Sequence, residues 1–376
     1  MKVVFVSNFM NHHQLPVALE MSEIYDYTFI ATQPIASEQL NMGYEDMNKK
    51  YPFIMLTYDG SCTLEEVEKR ILEADVVIFG SCDFSLVEKR IQLNKITFRY
   101  SERLFKNWSL IRKLSSFVRP KYFKQCTKYR NKKYYLLCAS AYAAKDYHWY
   151  GAFKDKSFKW GYFTDNKVVD ADDIIQEKEK NEKLNLLWCN RLVRYKHPEM
   201  AIVVAKYLRD NAIDFVLDVV GAGPLKSKIE KMIKKYNLES CVKVIGSVPS
   251  SQIREIMLKT NISLLTANKG EGWGAVVNES MNACCAVICN KFIGSVPFLV
   301  KDGKNGLIYS NKRQFLEKVK QLCLDKNLRI NLSRNAYLDT VEKWSAKNAV
   351  LNFDLLVKGL INNEIVDIKE GPCSKC

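Results

Sequence analysis

Short apolar runs alternate with longer stretches of helical spacing along most of the chain. Val3–Val6, Tyr27–Ile30, Asp75–Phe79, Lys95–Arg99 and Tyr134–Cys138 read as strands, and Glu65–Leu72 reads as a helix. Short strands that are apolar at consecutive rather than alternate positions fit a parallel sheet covered on both faces. The segment Asp170–Lys183 is charged and almost without large apolar residues, as expected of a linker or a solvated helix at a domain boundary. A second series follows it. Leu184–Cys189, Phe215–Val220, Val242–Ile245, Ile262–Leu265 and Ala286–Cys289 read as strands, with helices over Pro198–Leu208, Leu225–Tyr236, Ser251–Leu258 and Val276–Cys284. The pattern predicts an α/β protein with two doubly wound, Rossmann-like parallel-sheet domains, residues 1–165 and 166–345, facing a cleft. Ligands of such sheets bind beyond the carboxyl ends of the strands. Apolar residues at 349, 350, 353, 356, 357 and 360 predict a last helix that closes the second domain or packs near the domain junction. It lies in a C-terminal segment, 346–376, whose end past Glu364 is expected to be frayed.

Composition narrows the partners. Lysine and arginine total 57 against 42 acidic residues, a formal charge of +15, which favours nucleic acid, phosphate-bearing substrates or an acidic membrane face. No apolar run is long enough to span a bilayer, and the first run lacks the length and cleavage site of a signal peptide, so a cytoplasmic protein is expected. Cys138, Cys189, Cys284, Cys285 and Cys289 sit within apolar runs, where a thiol behaves as a small hydrophobe. Cys373 and Cys376 have CxxC spacing but no second pair or nearby histidine, so no metal is expected.

The densest chemical signal is Gly270-Glu271-Gly272-Trp273-Gly274-Ala275-Val276, a glycine-rich turn after a buried strand and before a helix. Such a turn lets backbone approach a ligand, and the helix start favours an anion. Its spacing matches neither common nucleotide motif. Glu271 and Glu279 flank it and suit hydroxyl groups of a sugar or ribose better than phosphate. A turn before an amphipathic helix with Glu279 solvated is the structural alternative. The loop after Leu184–Cys189 carries Arg191 and Lys196, a guanidinium fork and a mobile ammonium able to reach a diphosphate, or merely a solvated loop. Gly221-Ala222-Gly223-Pro224 is a further glycine-rich strand end.

These pieces, with Met281, Val287, Gly294-Ser295-Val296-Pro297 and Asp302-Gly303-Lys304-Asn305-Gly306-Leu307, cover about 120 residues and resemble the retaining glycosyltransferases of family 4, with the GT-B fold. The resemblance implies that Arg191 and Lys196 hold the donor diphosphate, that Glu271 lies beside the donor sugar, and that Glu279 takes the ribose hydroxyls. It implies further that Gly221, Gly223, Gly272, Trp273, Gly274, Val276 and Gly294 line the nucleotide-sugar site. Cys284 and Phe298 stand where the family usually has glycine and an acid. The first domain is similar to members that build bacterial capsule, O-antigen or other surface polysaccharide, through Asn8-Phe9, Asn11-His12-His13-Gln14 and Tyr100-Ser101-Glu102-Arg103-Leu104-Phe105.

In that domain His13 and Glu102 follow strand ends and are candidates for acceptor chemistry; a helix cap at Asn11 and a structural partner for Glu102 are the plain alternatives. Twelve bases between Arg99 and Lys133, interleaved with Trp108, Leu110, Ile111, Leu114, Phe117, Tyr122 and Phe123, fit an anionic membrane surface or a lipid-pyrophosphate acceptor. RNA binding fits less well, since no nucleic-acid module is present. The resulting expectation is a retaining transferase, peripheral on the inner membrane face. It would use a UDP- or GDP-linked sugar as co-substrate, a glycan or lipid-linked glycan as acceptor, and no obligatory cofactor. A sugar-nucleotide epimerase on the same fold and a non-catalytic basic partner subunit are the alternatives.

Overall fold

The computed structural model describes residues 1–36, 40, 45–106 and 118–376. They form two compact units, Met1–Asp165 with Trp344–Cys376, and Asn166–Lys343.

In the first unit seven parallel strands make one sheet: β1 Lys2–Ser7, β2 Asp26–Ala31, β3 Ile54–Leu56, β4 Val76–Phe79, β5 Thr97–Ser101, β6 Tyr134–Cys138 and β7 Ser157–Lys159, in the order β3-β2-β1-β4-β5-β6-β7. All four residues of β4 are buried, and only the first residue of β1 and of β2 is exposed, which is why their apolar positions run consecutively. The five expected strands are present. The three-residue edge strands β3 and β7 are too short to leave a pattern, and β7 (Ser-Phe-Lys) is mostly polar.

The last helix, Ala346–Asn362, starts where Ser345 Oγ accepts a hydrogen bond from Asn348 N at 3.2 Å. It does not close the second domain. Phe353, fully buried, packs on Phe98 at 5.3 Å and Trp160 at 5.8 Å between ring centroids, both in the first unit. Nor is the extreme C-terminus frayed. Cys373 N donates to Lys159 O (2.7 Å), Lys159 N to Ser374 O (2.8 Å) and Cys376 N to Ser157 O (3.1 Å). The free edge of β7 has unpaired backbone groups, and the tail satisfies them. Side-chain pattern carries no trace of such a pairing.

The second unit has six parallel strands: β8 Leu184–Cys189, β9 Phe215–Val220, β10 Val242–Gly246, β11 Ile262–Leu265, β12 Ala286–Asn290 and β13 Leu307–Tyr309, in the order β10-β9-β8-β11-β12-β13. Leu186, Trp188, Leu217, Val219, Ile262, Leu264 and Ile288 meet the helices in its core. The charged segment before β8 is a helix, Ala171–Lys178, capped by Asp170, whose carboxylate accepts from Asp172 N and Asp173 N at 3.0 Å each. It is not simply solvated, because Ile175 and Lys178 are buried. Lys178 Nζ donates to Ala283 O (2.6 Å) and Cys284 O (2.7 Å), at the end of the helix Val276–Asn282. An ammonium there satisfies carbonyls that the helix leaves unpaired. Burial lowers the Lys178 pKa. Strand β13 and the helices Lys312–Leu324 and Lys326–Leu338 were not anticipated. Among the described residues no helix is long and apolar enough to cross a membrane.

Candidate functional site

The order of the second sheet reverses between β8 and β11, a topological switch point. These two strands register only through Leu186–Ile262 and Leu187–Ser263, then part. Beyond their ends lies a recess bounded by Asn190, Thr266, Ala267, Glu271, Gly274 and Val276.

Two loops meet there. The loop after β8 carries Arg191 and Lys196; the loop after β11 carries Glu271. Lys196, 7% exposed, forms an ion pair with Glu271, and its ammonium also lies 5.3 Å from the centre of the Tyr195 ring. The alternative reading of a merely solvated basic loop does not describe its lysine, which is buried. A buried ammonium needs either carbonyls, as at Lys178, or a close counter-charge, and here Glu271 supplies the charge. Arg191 is separate and exposed, with Nη2 donating to Tyr195 Oη at 2.9 Å. The structure brings Lys196 and Glu271 into contact and leaves Arg191 at the rim.

Glu279 lies in the first turn of the helix Val276–Asn282. Its side chain makes no hydrogen bond among the described residues. Burial pushes its carboxyl up to about 7, with the Lys196 charge working the other way. Glu279 is thus half-buried rather than fully solvated.

The glycines have distinct reasons. Gly221 has φ +131°, and a Cβ there would lie 1.9 Å from Asn190 O; Gly223 similarly abuts Leu192 O. Both let the loop after β9 lie against the loop after β8, with Leu192 N donating to Ala222 O at 2.8 Å. Gly274 has φ +90°, and a Cβ would lie 2.8 Å from Ile293 Cγ2 and 3.2 Å from Glu271 Cγ, so a larger residue would push on Glu271 itself. Gly272 and Gly294 are buried, and Val276 half-buried at the recess. Trp273 is fully buried and turned inward, its Nε1 donating to Asn278 Oδ1 at 2.9 Å.

In the first unit His13 and Glu102 are linked through Tyr162, which sequence reasoning missed because it belongs to no motif. The His13 and Tyr162 rings stack at 5.3 Å, and Tyr162 Oη donates to Glu102 at 2.5 Å. Glu102 also pairs with Lys106. Asn11 Oδ1 accepts from His13 N (3.0 Å) and Gln14 N (3.2 Å), fixing the turn. Burial, then the adjacent His12, pushes the His13 imidazole down to about 3, so it is neutral, and its Nδ1 is buried without a hydrogen-bond partner.

The basic stretch divides. Arg99 and Arg103 turn inward, Arg99 Nε donating to Tyr147 Oη at 2.7 Å and Arg103 stacking 4.4 Å over Tyr142. The helix Val118–Gln125 has no buried residue and exposes Arg119, Lys121, Lys124 and Phe123. Trp108, Leu110, Ile111, Arg112, Lys113, Leu114 and Phe117 lie outside the described residues. Among those described, no cluster of three or more histidine, cysteine or acidic side chains is placed to hold a metal.

Comparison with known proteins gives relatives for the second unit and a fold for the chain. Residues 170–339 match the family model described as Glycosyl transferases group 1. An uncharacterised glycosyltransferase of Methanocaldococcus jannaschii is 32% identical over 125 residues, covering 33% of this chain and 35% of that one. The putative colanic acid biosynthesis glycosyltransferase WcaL of Salmonella typhimurium is 27% identical over 139 residues, covering 35% of this chain and 34% of its own. The chain spans about a third of the length of these curated relatives. The crystal structure of HepE from Anabaena, in complex with UDP, superimposes with a TM-score of 0.69 at 13% identity, covering 95% of this chain and 100% of that one. The likeness shows the fold, and the second unit is related to the group 1 glycosyl transferases.

The raised Glu279 pKa makes a stability prediction. The folded state holds the proton more tightly than the unfolded chain, whose glutamate titrates near 4.5. The folded state therefore binds more protons between these values, and stability falls as pH rises from about 4.5 to about 7. Glu279→Gln should remove that fall. Urea denaturation of the unliganded chain should show the variant more stable than wild type above pH 7, by on the order of 1–3 kcal/mol, and similar near pH 4.5. Parallel pH profiles would contradict it.

Proposed function

We propose that the chain is a retaining glycosyltransferase that moves a sugar from a UDP- or GDP-linked donor to a hydroxyl of a glycan or lipid-linked glycan, in surface polysaccharide synthesis. The observation that carries this reading is the ion pair of the buried Lys196 with Glu271 at the switch point, with the half-buried Glu279 near the same lysine. A relative whose name places it in colanic acid biosynthesis and a like-folded structure holding UDP support it.

As the anomeric carbon–oxygen bond breaks, negative charge gathers on the departing diphosphate and positive charge on the sugar ring. Lys196 is the ammonium positioned to take the first charge, with Arg191 reaching in from the rim. Glu271, released from Lys196 as the phosphates arrive, accepts from sugar hydroxyls and steadies the oxocarbenium-like ring. Glu279 accepts from the two ribose hydroxyls and, with donor bound, has partners for its charged form. The leaving phosphate takes the acceptor proton. His13 is too weak a base for that task; its stack on Tyr162, with Glu102 behind, suits holding the acceptor.

The acids should separate in kinetics. Glu271→Gln should lower kcat at least tenfold with a smaller change in donor KM, because the lost contact strengthens in the transition state. Glu279→Gln should chiefly raise donor KM, by roughly tenfold for one charged hydrogen bond. Steady-state assays across UDP- and GDP-sugars, with circular dichroism to confirm folding, read both. Wild-type kinetics in both variants would refute the assignment.

The exposed basic helix Val118–Gln125, bearing Phe123, suits docking at the inner, anionic membrane face, where lipid-linked acceptors reside. Co-sedimentation should be stronger with vesicles containing phosphatidylglycerol than with pure phosphatidylcholine, and weaker in high salt. Equal recovery with both would remove this part of the proposal, and tight, lipid-indifferent binding of short RNA would replace it.

A further inference from the structure

The ion pair has a support that neither charged residue explains. Lys196 and Glu271 come from separate loops, and one residue, Asn268, is hydrogen-bonded into both loops. Its backbone N donates to Tyr195 O at 2.9 Å, next to Lys196, and its backbone O accepts from Glu271 N at 3.0 Å. Its Oδ1 accepts from Gly270 N at 2.8 Å, which fixes the orientation of the amide. The amide nitrogen is then turned to His197, 2.9 Å from Nε2. His197 Nδ1 lies 2.7 Å from the Glu199 carboxylate, so Nδ1 carries the proton and Nε2 accepts from Asn268. His197 itself has φ +53°, an uncommon conformation for a non-glycine residue, and its peptide is held by Thr266. Thr266 Oγ1 lies 2.6 Å from Lys196 O and 3.1 Å from His197 O, and accepts from the buried Trp188 Nε1 at 2.7 Å.

We propose that Asn268 is a positioning residue for the diphosphate-binding lysine. Through His197 it holds the loop after β8 in the turn that directs Lys196 into the recess, while its Oδ1 and backbone hold the Glu271 loop at matching distance. The proposal rests on reading this site as the donor-diphosphate site. No other residue type of this size offers a donor and an acceptor at once in a planar group, so alanine loses both arms and aspartate keeps only the acceptor toward Gly270.

The test is a double-mutant cycle on the intact chain, with UDP and GDP as probes and binding read by calorimetry. Asn268→Ala should weaken binding roughly tenfold, the scale of one misplaced charged contact. In a Lys196→Ala background the same change should weaken it less than about twofold, because the group being positioned is already gone. Asn268→Asp should fall between wild type and Asn268→Ala, and it keeps the result readable if the alanine variant is poorly folded. Equal losses from Asn268→Ala in the two backgrounds, or wild-type affinity in both Asn268 variants, would overturn the positioning role while leaving the donor site standing. Failure of wild type to bind either nucleotide, or wild-type affinity in Lys196→Ala, would overturn the donor reading and this proposal with it.

Discussion

Lys196 is an ammonium removed from water and set against a carboxylate, and the candidate site of the second unit is organised around that ion pair. Glu271 meets it from a loop on a different strand, so the ends of β8 and β11 are tied together although the strands themselves part after two registered pairs. Around this tie the neighbouring backbones crowd. Gly221 and Gly274 are glycines because a Cβ would strike Asn190 O in one case and Ile293 in the other. In the proposed reaction a diphosphate replaces the carboxylate as the partner of Lys196 and frees Glu271 for the sugar, so that ground-state structure and chemical step would share one interaction.

Glu279 feels the same environment from the other side. Burial raises its carboxyl to about 7 even with Lys196 nearby, a cost that hydroxyl donors would relieve. Lys178 acts further back. It caps the carbonyls at the end of the Glu279 helix, where Cys284 adopts φ +54° in place of the usual glycine of similar transferases. The lysine that caps this helix end comes from a charged segment that composition reads as a linker or a solvated helix.

The strands of the second unit were legible because each is a short apolar run between amphipathic helices; β8, β9 and β11 begin and end at the expected residues. The positions of Glu271 and Lys196 were legible from turn chemistry and from the resemblance. Their pairing was not, since charge and spacing say nothing about burial in a loop. Asn268, Thr266 and Tyr162 reach residues far along the chain through hydrogen bonds or ring contacts, and such contacts leave no periodicity. The C-terminal segment failed for a different reason. Phe353 marks a buried helix face but not which core it enters, and the backbone pairing of Cys373 and Cys376 with β7 has no side-chain signature.

The account stands on Lys196 as the cation that receives a diphosphate. The direct measurement is the melting temperature of the intact chain with and without saturating UDP or GDP, for wild type and Lys196→Ala. A ligand that binds only the folded state stabilises it by about 2.7 kcal/mol at a hundredfold excess over Kd. At least one nucleotide should raise the wild-type melting temperature by several degrees and leave that of Lys196→Ala nearly unmoved. No shift with either nucleotide, or equal shifts in the two proteins, would contradict the account.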